Sequence, residues 1–146
     1  MIGWLGHMRP EKAPLRFVEM LQHLPNSVFG LMVGDGEMRP AVESALLALG
    51  LQRRVFLTGH VAEPEDLVGA MSIYCSTSDS EQMPIATLEA MACALPVVTT
   101  AVGEATRMLP ASCRDCAISM AEPMLAARLA DRIRALLHDE PKMRQM

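Results

Sequence analysis

Four polar side chains define the chemistry open to this chain. Glu81 and Glu89 lie with seven residues between them in the stretch Ser76 to Val98, STSDSEQMPIATLEAMACALPVV, at the entry to an expected helix that a proline-led apolar strand follows. His7 and Lys12 bracket the early loop HMRPEK. An ionised carboxylate only accepts hydrogen bonds, so the two glutamates suit hydroxyl groups. Lys12 is a fixed cation and His7 a second donor, and that pairing suits a phosphate. A carboxylate at Asp79 or Glu81 would instead repel an anion at the helix start, so both are better used as hydroxyl acceptors. Nothing in the sequence sets two carboxylates across a scissile bond, the arrangement glycoside hydrolysis requires.

These residues fall in loops because of the elements around them. Residues 1 to 5 (MIGWL) predict a buried strand, and from Pro14 the apolar residues Phe17, Val18, Leu21 and Leu24 recur at helical spacing. Val28 to Val33 reads as a second strand closed by Gly34-Asp35-Gly36, where Asp35 is a turn former. A helix over Val42 to Leu49 is stopped by Gly50, and strands follow at Arg54 to Thr58 and Ile73 to Ser76 with a short helix between them. The helix of the glutamate stretch is expected to begin at Pro84, with Ile85, Leu88, Ala92 and Leu95 as its apolar face. Pro96 to Thr99 and Ala117 to Ser119 are strands, and the last helix starts near Pro123. Strand and helix alternate throughout, which predicts an α/β fold, a Rossmann-like doubly wound parallel sheet. In such sheets ligands bind at the carboxyl ends of the strands, and those loops are His7 to Lys12, Gly34 to Glu37, Gly59 to Val61, Ser76 to Pro84 and Thr99 to Glu104.

Composition narrows the classes further. A chain of 146 residues suits one domain. Its net charge is −4 and its Lys and Arg residues are scattered, which argues against nucleic acid as a partner. The absence of a signal-type amino terminus and of any apolar run of about 18 residues points to a cytoplasmic protein, and membrane-peripheral attachment of a longer chain stays compatible with that. Of the four cysteines, two lie in apolar elements, and Cys113 and Cys116 form a C-x-x-C with no second pair, so free thiols and no zinc site are expected.

Four motifs in order, GHMRPEK at 6 to 12, VGDGE at 33 to 37, VFLTGHV at 55 to 61 and SEQMPIATLEAMACALPVV at 80 to 98, resemble the carboxyl-terminal domain of family 4 (group 1) retaining glycosyltransferases, with Glu81 and Glu89 as its E-x7-E signature. The resemblance implies that residues 1 to 146 are one half of a GT-B architecture. That half binds a nucleoside diphosphate sugar, needs no obligatory metal or cofactor, and works beside an amino-terminal acceptor domain that is missing here. It implies that Lys12 pairs with the donor diphosphate, Glu81 faces the sugar and Glu89 binds the ribose hydroxyls. The amides of Met83 and Ile85 around Pro84 would touch phosphate and sugar, and the turns at Gly6, Gly34 and Val61 would line the nucleotide. Departing a sugar from a diphosphate needs more than a helix terminus, which contributes only about 0.3 to 1 kcal/mol near solvent, so Lys12 and His7 would supply the remainder.

Three positions depart from the family pattern. His7 stands where an arginine is usual, and it is mostly uncharged at neutral pH whereas arginine is always charged. Ala13 and Ala94 replace glycines, a change expected to matter little because alanine suits a helix. Both chain ends look trimmed, and the exposed sheet edge favours self-association into a homo-oligomer. Two other readings stay open at this level, a nucleotide-binding or assembly domain without turnover and a sugar-nucleotide epimerase of related fold.

Overall fold

The computed structural model describes residues 1–139 and Met143. Six strands, β1 (Ile2–Leu5), β2 (Gly30–Val33), β3 (Val55–Leu57), β4 (Ile73–Ser76), β5 (Val97–Thr100) and β6 (Ala117–Ile118), form one sheet in the order β3-β2-β1-β4-β5-β6. Every pairing is parallel, with Trp4 beside Met32 and Tyr74 beside Val97. Helices α1 (Pro14–Gln22), α2 (Arg39–Ala48), α3 (Glu65–Gly69), α4 (Ile85–Ala92), α5 (Ala105–Met108) and α6 (Leu125–Leu137) complete the alternation, and two short 3-10 turns at Pro10–Lys12 and Ala111–Cys116 lie in stretches read as loops or connections. The doubly wound parallel sheet expected from the sequence is the fold observed.

The central strands carry near-continuous apolar runs because a parallel sheet is covered on both faces. Ile2, Trp4, Met32, Val33, Ile73, Cys75, Val97 and Val98 are all buried. Phe17, Val18 and Leu21 of α1 pack with Leu129, Ile133 and Leu136 of α6 in the same core. Each such side chain contributes about 1.5–3 kcal/mol on burial. Arg54 starts no strand. Its guanidinium donates to the carbonyls of Leu21, Leu24, Pro25 and Val28 (2.9–3.3 Å), capping the carboxyl end of α1 and the turn beyond it.

The order of strands creates the crevice. The chain leaves β1 for β2 on one side, whereas β4 lies on the other side of β1 and leads on to β5. The loops that leave β1 (residues 6 to 13) and β4 (residues 77 to 84) therefore rise next to each other and diverge, and ligands bind at such a switch point.

Two sequence expectations are corrected here. The buried side of α4 is Thr87 and Ala90, while Ile85 and Leu88 are 65% and 44% exposed. Seven of the eight residues in IATLEAMA are uncharged, so spacing alone cannot choose a face, and the small side chains face the sheet because they let the helix approach it. The helix also starts at Ile85, with Pro84 just outside it.

Ala13 and Ala94 are the second correction. Both occupy the left-handed region, at φ 45° and φ 56°, where a Cβ costs roughly 1–2 kcal/mol. Ala94 sits just past α4, its amide donating to Met91 and that of Leu95 to Ala90, the reciprocal pair that closes a helix on a left-handed residue. Ala94→Gly is expected to stabilise the protein by about 0.5–1 kcal/mol, the relief of strain exceeding the entropy glycine adds to the unfolded chain. Unfolding followed by the fluorescence of Trp4, the single tryptophan, measures it, and an unchanged or lower midpoint would contradict the strain.

Cys75, Cys113 and Cys116 are buried, Cys93 is exposed, and all four are free thiols. Burial pushes the Cys75 thiol up to about 12, leaving it a neutral packing group. No helix among the described residues is long and apolar enough to cross a membrane.

Candidate functional site

Three groups of residues predicted from sequence gather at the carboxyl end of the sheet. The first is an ion pair between Lys12, from the loop after β1, and Glu81, from the loop after β4. Sixty-nine residues separate them in the chain, and the adjacency of β1 and β4 brings them together. Both are largely enclosed, with 29% and 12% of their side-chain surfaces exposed. Lys12 Nζ and Ser78 Oγ donate to the same oxygen, Glu81 Oε1, the hydroxyl at 2.8 Å. Glu81 Oε2 accepts no hydrogen bond among the described residues.

The two loops are bound together from beneath. Trp4 Nε1 donates to Thr77 Oγ1 (3.2 Å), and the single proton of that hydroxyl is shared between the carbonyls of Lys12 (3.2 Å) and Ala13 (3.1 Å). Arg16 Nη1 donates to the Thr77 carbonyl (2.7 Å) and pairs with Asp79 (2.6 Å), while the Asp79 amide donates to the Glu11 carbonyl (2.8 Å). Asp79, expected to serve hydroxyl ligands, is thus already matched to Arg16. Thr100 Oγ1 on β5 donates to the Ser78 carbonyl at 2.6 Å. Gly103, beyond β5, leans on the same loop, and a Cβ there would lie 1.9 Å from the Glu81 carbonyl oxygen.

The second group lines an open cavity of about 280 Å³ at the ends of β1, β2 and β3, where Gly6, His7, Gly34 and Val61 meet Leu5, Val33, Asp35 and His60. The cavity exists because the Gly34 backbone lies against that of Gly6, with Gly6 N donating to Val33 O (3.0 Å) and Gly34 N to Gly59 O (3.0 Å). Asp35 Oδ1 accepts from the Gly36 amide (2.8 Å) and Oδ2 from Arg39 (3.3 Å), the turn-forming role expected of it. His60, given no role from sequence, lines this cavity too.

The third group is the entry of α4. Met83 and Ile85 are exposed and Pro84 is buried between them. The Met83 and Ile85 amides donate to no group among the described residues, leaving two N–H donors at a helix start. Glu89, on the second turn of α4, is exposed and unpaired among the described residues. It borders a small apolar cavity of about 160 Å³ between α3 and α4, together with Pro64, Val68, Ala92 and Cys93. Glu89 has no hydrogen bond or ion pair with Lys12 or Glu81. A larger cavity, about 550 Å³, lies away from all of these between β6 and α6, and its charged side chains are paired, Arg128 with Glu122 and Asp131, and Arg132 with Asp115.

Ser78, Thr77, Thr100 and Trp4 escaped sequence reasoning as site residues. The signal available was weak: a serine three residues before Glu81 reads as a loop former, and no local rule joins residues 4, 77 and 100.

A chain able to bring a cation, a carboxylate with an open oxygen and free amides to one switch point is equipped to bind an anion linked to a polyhydroxyl group. Comparison with known proteins agrees with that chemistry. Residues 1–139 match the family model described as glycosyl transferases group 1. The chain is 35% identical over 112 residues to 2-deoxystreptamine N-acetyl-D-glucosaminyltransferase of Streptomyces fradiae, covering 70% of this chain and 26% of that protein. It is 30% identical to an Escherichia coli UDP-Gal:alpha-D-GlcNAc-diphosphoundecaprenol alpha-1,3-galactosyltransferase, covering 66% of this chain and 26% of that one. The crystal structure of Anabaena Alr3699/HepE in complex with UDP-glucose superposes with a TM-score of 0.86 at 26% identity, covering 98% of this chain and 40% of HepE. The chain thus spans about a quarter of the length of these curated relatives, and its fold corresponds to one half of a GT-B glycosyltransferase. By the match over residues 1–139, this chain belongs to the group 1 glycosyl transferases.

Proposed function

We propose that this chain is the donor-binding half of a retaining glycosyltransferase and holds a nucleoside diphosphate sugar at the β1–β4 switch point. The observation that carries the reading is the meeting of Lys12 and Glu81 beside the free amides of Met83 and Ile85. Lys12 pairs with the diphosphate, and His7 supplies a second donor from the same loop. Glu81 accepts from the sugar hydroxyls through its open oxygen, and Glu89 accepts from the ribose hydroxyls. The cavity at Gly6, Gly34 and Val61 takes the nucleoside. A ligand spanning all three groups would meet Glu89 and the ion pair with different parts, since ribose and sugar sit on opposite sides of the diphosphate.

In the reaction of the full-length protein, the bond from the anomeric carbon to the diphosphate oxygen breaks. The nucleoside diphosphate leaves with that electron pair, and an acceptor hydroxyl bonds to the carbon and loses its proton. Lys12 and the amides stabilise charge on the departing oxygen, an electrostatic contribution worth several kcal/mol in a preorganised site. The acceptor is held by a separate domain, which also excludes water, so the chain alone binds donor with little turnover. UDP is the leading candidate nucleotide, because HepE is a relative captured with UDP-glucose. Titration calorimetry of this chain with UDP, GDP and ADP tests the reading, with one expected to bind and the absence of heat from all three up to millimolar ligand counting against it.

A further inference from the structure

We propose that the Lys12–Glu81 ion pair is a latch that the diphosphate must open, and that Ser78 is the positioning residue that holds Glu81 while Lys12 changes partner. The inference rests on the reading above, that Lys12 meets a diphosphate.

Lys12 is engaged, with Glu81 as its ion-pair partner. A diphosphate approaching Lys12 meets the Glu81 carboxylate on the same ammonium, so it must displace that carboxylate and tolerate its charge nearby. Losing Lys12 leaves Glu81, only 12% exposed, without its counter-charge, an arrangement unfavourable for a buried carboxylate. Two features limit that penalty. Ser78 Oγ keeps its hydrogen bond to Oε1, and Ser78 is itself 3% exposed and anchored through its carbonyl to Thr100, which is fully buried. Glu81 Oε2 is open, so sugar hydroxyls can replace what the ammonium withdrew.

The two ligands of the site therefore differ in what they restore. A nucleoside diphosphate carrying a sugar satisfies both Lys12 and Glu81. The bare diphosphate, which is the product, satisfies Lys12 and leaves Glu81 short of a partner. The latch thereby favours donor over product and limits occupation of the site by spent nucleotide.

The test uses whichever of UDP, GDP and ADP binds this chain, and its glucose ester, measured by titration calorimetry. Glu81→Gln, nearly isosteric and uncharged, is expected to tighten the bare diphosphate about 10-fold, as removal of a competing charge would, and to leave the ester unchanged or weaker. In a Lys12→Met background the same substitution is expected to gain less, about 3-fold, because only the direct repulsion between carboxylate and diphosphate remains and the cycle isolates the share that runs through Lys12. Ser78→Ala should shift the ratio of the two affinities the opposite way, weakening the bare diphosphate about 3-fold more than the ester, whereas a merely structural role would weaken both ligands in parallel. The proposal is overturned if Glu81→Gln binds the bare diphosphate no more tightly than the unaltered chain, if the gain is as large without Lys12, or if diphosphate and ester gain equally. A parallel loss of both ligands in Ser78→Ala removes Ser78 from the device. If the unaltered chain binds none of the three nucleotides, the donor-site reading fails and the latch with it, an outcome distinct from the others.

Discussion

Replacing Lys12 by methionine is expected to weaken nucleoside diphosphate binding by roughly 100-fold, about 2.7 kcal/mol, in line with loss of a charge-assisted contact to phosphate. Lys12 is the cation enclosed at the switch point. Of the two arginines that flank it, Arg9 is exposed and Arg16 is committed to Asp79 and the Thr77 carbonyl. The free amides of Met83 and Ile85 remain in the variant, yet a helix start near solvent contributes only about 0.3–1 kcal/mol and cannot substitute. Methionine keeps most of the apolar stem. The Glu81 carboxylate is left with Ser78 alone, so a modest fall in stability should accompany the affinity loss. Lys12→Arg, which retains charge, should recover much of the binding and separates charge from packing. Calorimetry on both variants, with unfolding followed through Trp4, makes the measurement, and a Lys12→Met affinity within about 3-fold of the original would exclude Lys12 from the phosphate site.

The second large effect concerns the backbone. Gly34→Ala is expected to destabilise the protein by about 3 kcal/mol, through main-chain collision and backbone strain together. Gly34 has φ +131°, and a Cβ there would lie 1.9 Å from the Gly6 carbonyl oxygen, which has no flexible side chain to yield. The loops after β1 and β2 must then separate, opening the cavity that His7 and Val61 line. For a domain of this size the midpoint should fall by roughly 10 °C, with nucleotide affinity falling in parallel. Gly50→Ala is the control, since it also has positive φ, at +66°, but its Cβ meets nothing within 4 Å. It bears the strain alone and should cost about 1 kcal/mol. Equal losses at the two positions would show that the close approach of Gly34 to Gly6 is unimportant.

The same distinction between local and non-local causes explains how much of the molecule could be read from its residues. Trp4, Met32 and Cys75 belong to short apolar runs closed by Gly or Ser, and a buried parallel strand leaves such a trace wherever it occurs. Lys12 and Glu81 were legible as candidates because both fall in loops at strand ends, where such sheets bind ligands, and within motifs that resemble the family's, whereas their pairing with each other was not. Thr87 and Ala90 were not legible as the buried side of α4, because a helix apolar on nearly every side offers no periodic contrast. Ala13 and Ala94 misled for a different reason. Alanine favours a helix by propensity, but these two occupy the residue beside the helix, where the sign of φ decides.

The sequence by itself determined the order of strands and helices, the sheet they form and the loops that carry polar chemistry, since these follow from periodicity and turn residues within a few positions of each other. Only the tertiary structure decided how those loops share their charges. It committed Asp79 to Arg16, joined Lys12 and Ser78 on one oxygen of Glu81, and left Glu81 Oε2 and Glu89 open. Those partners lie up to 69 residues apart, and hydrogen bonds and ion pairs depend on atomic positions within a few tenths of an ångström. Spacing along the chain does not set such positions; the packing of β1 beside β4 does.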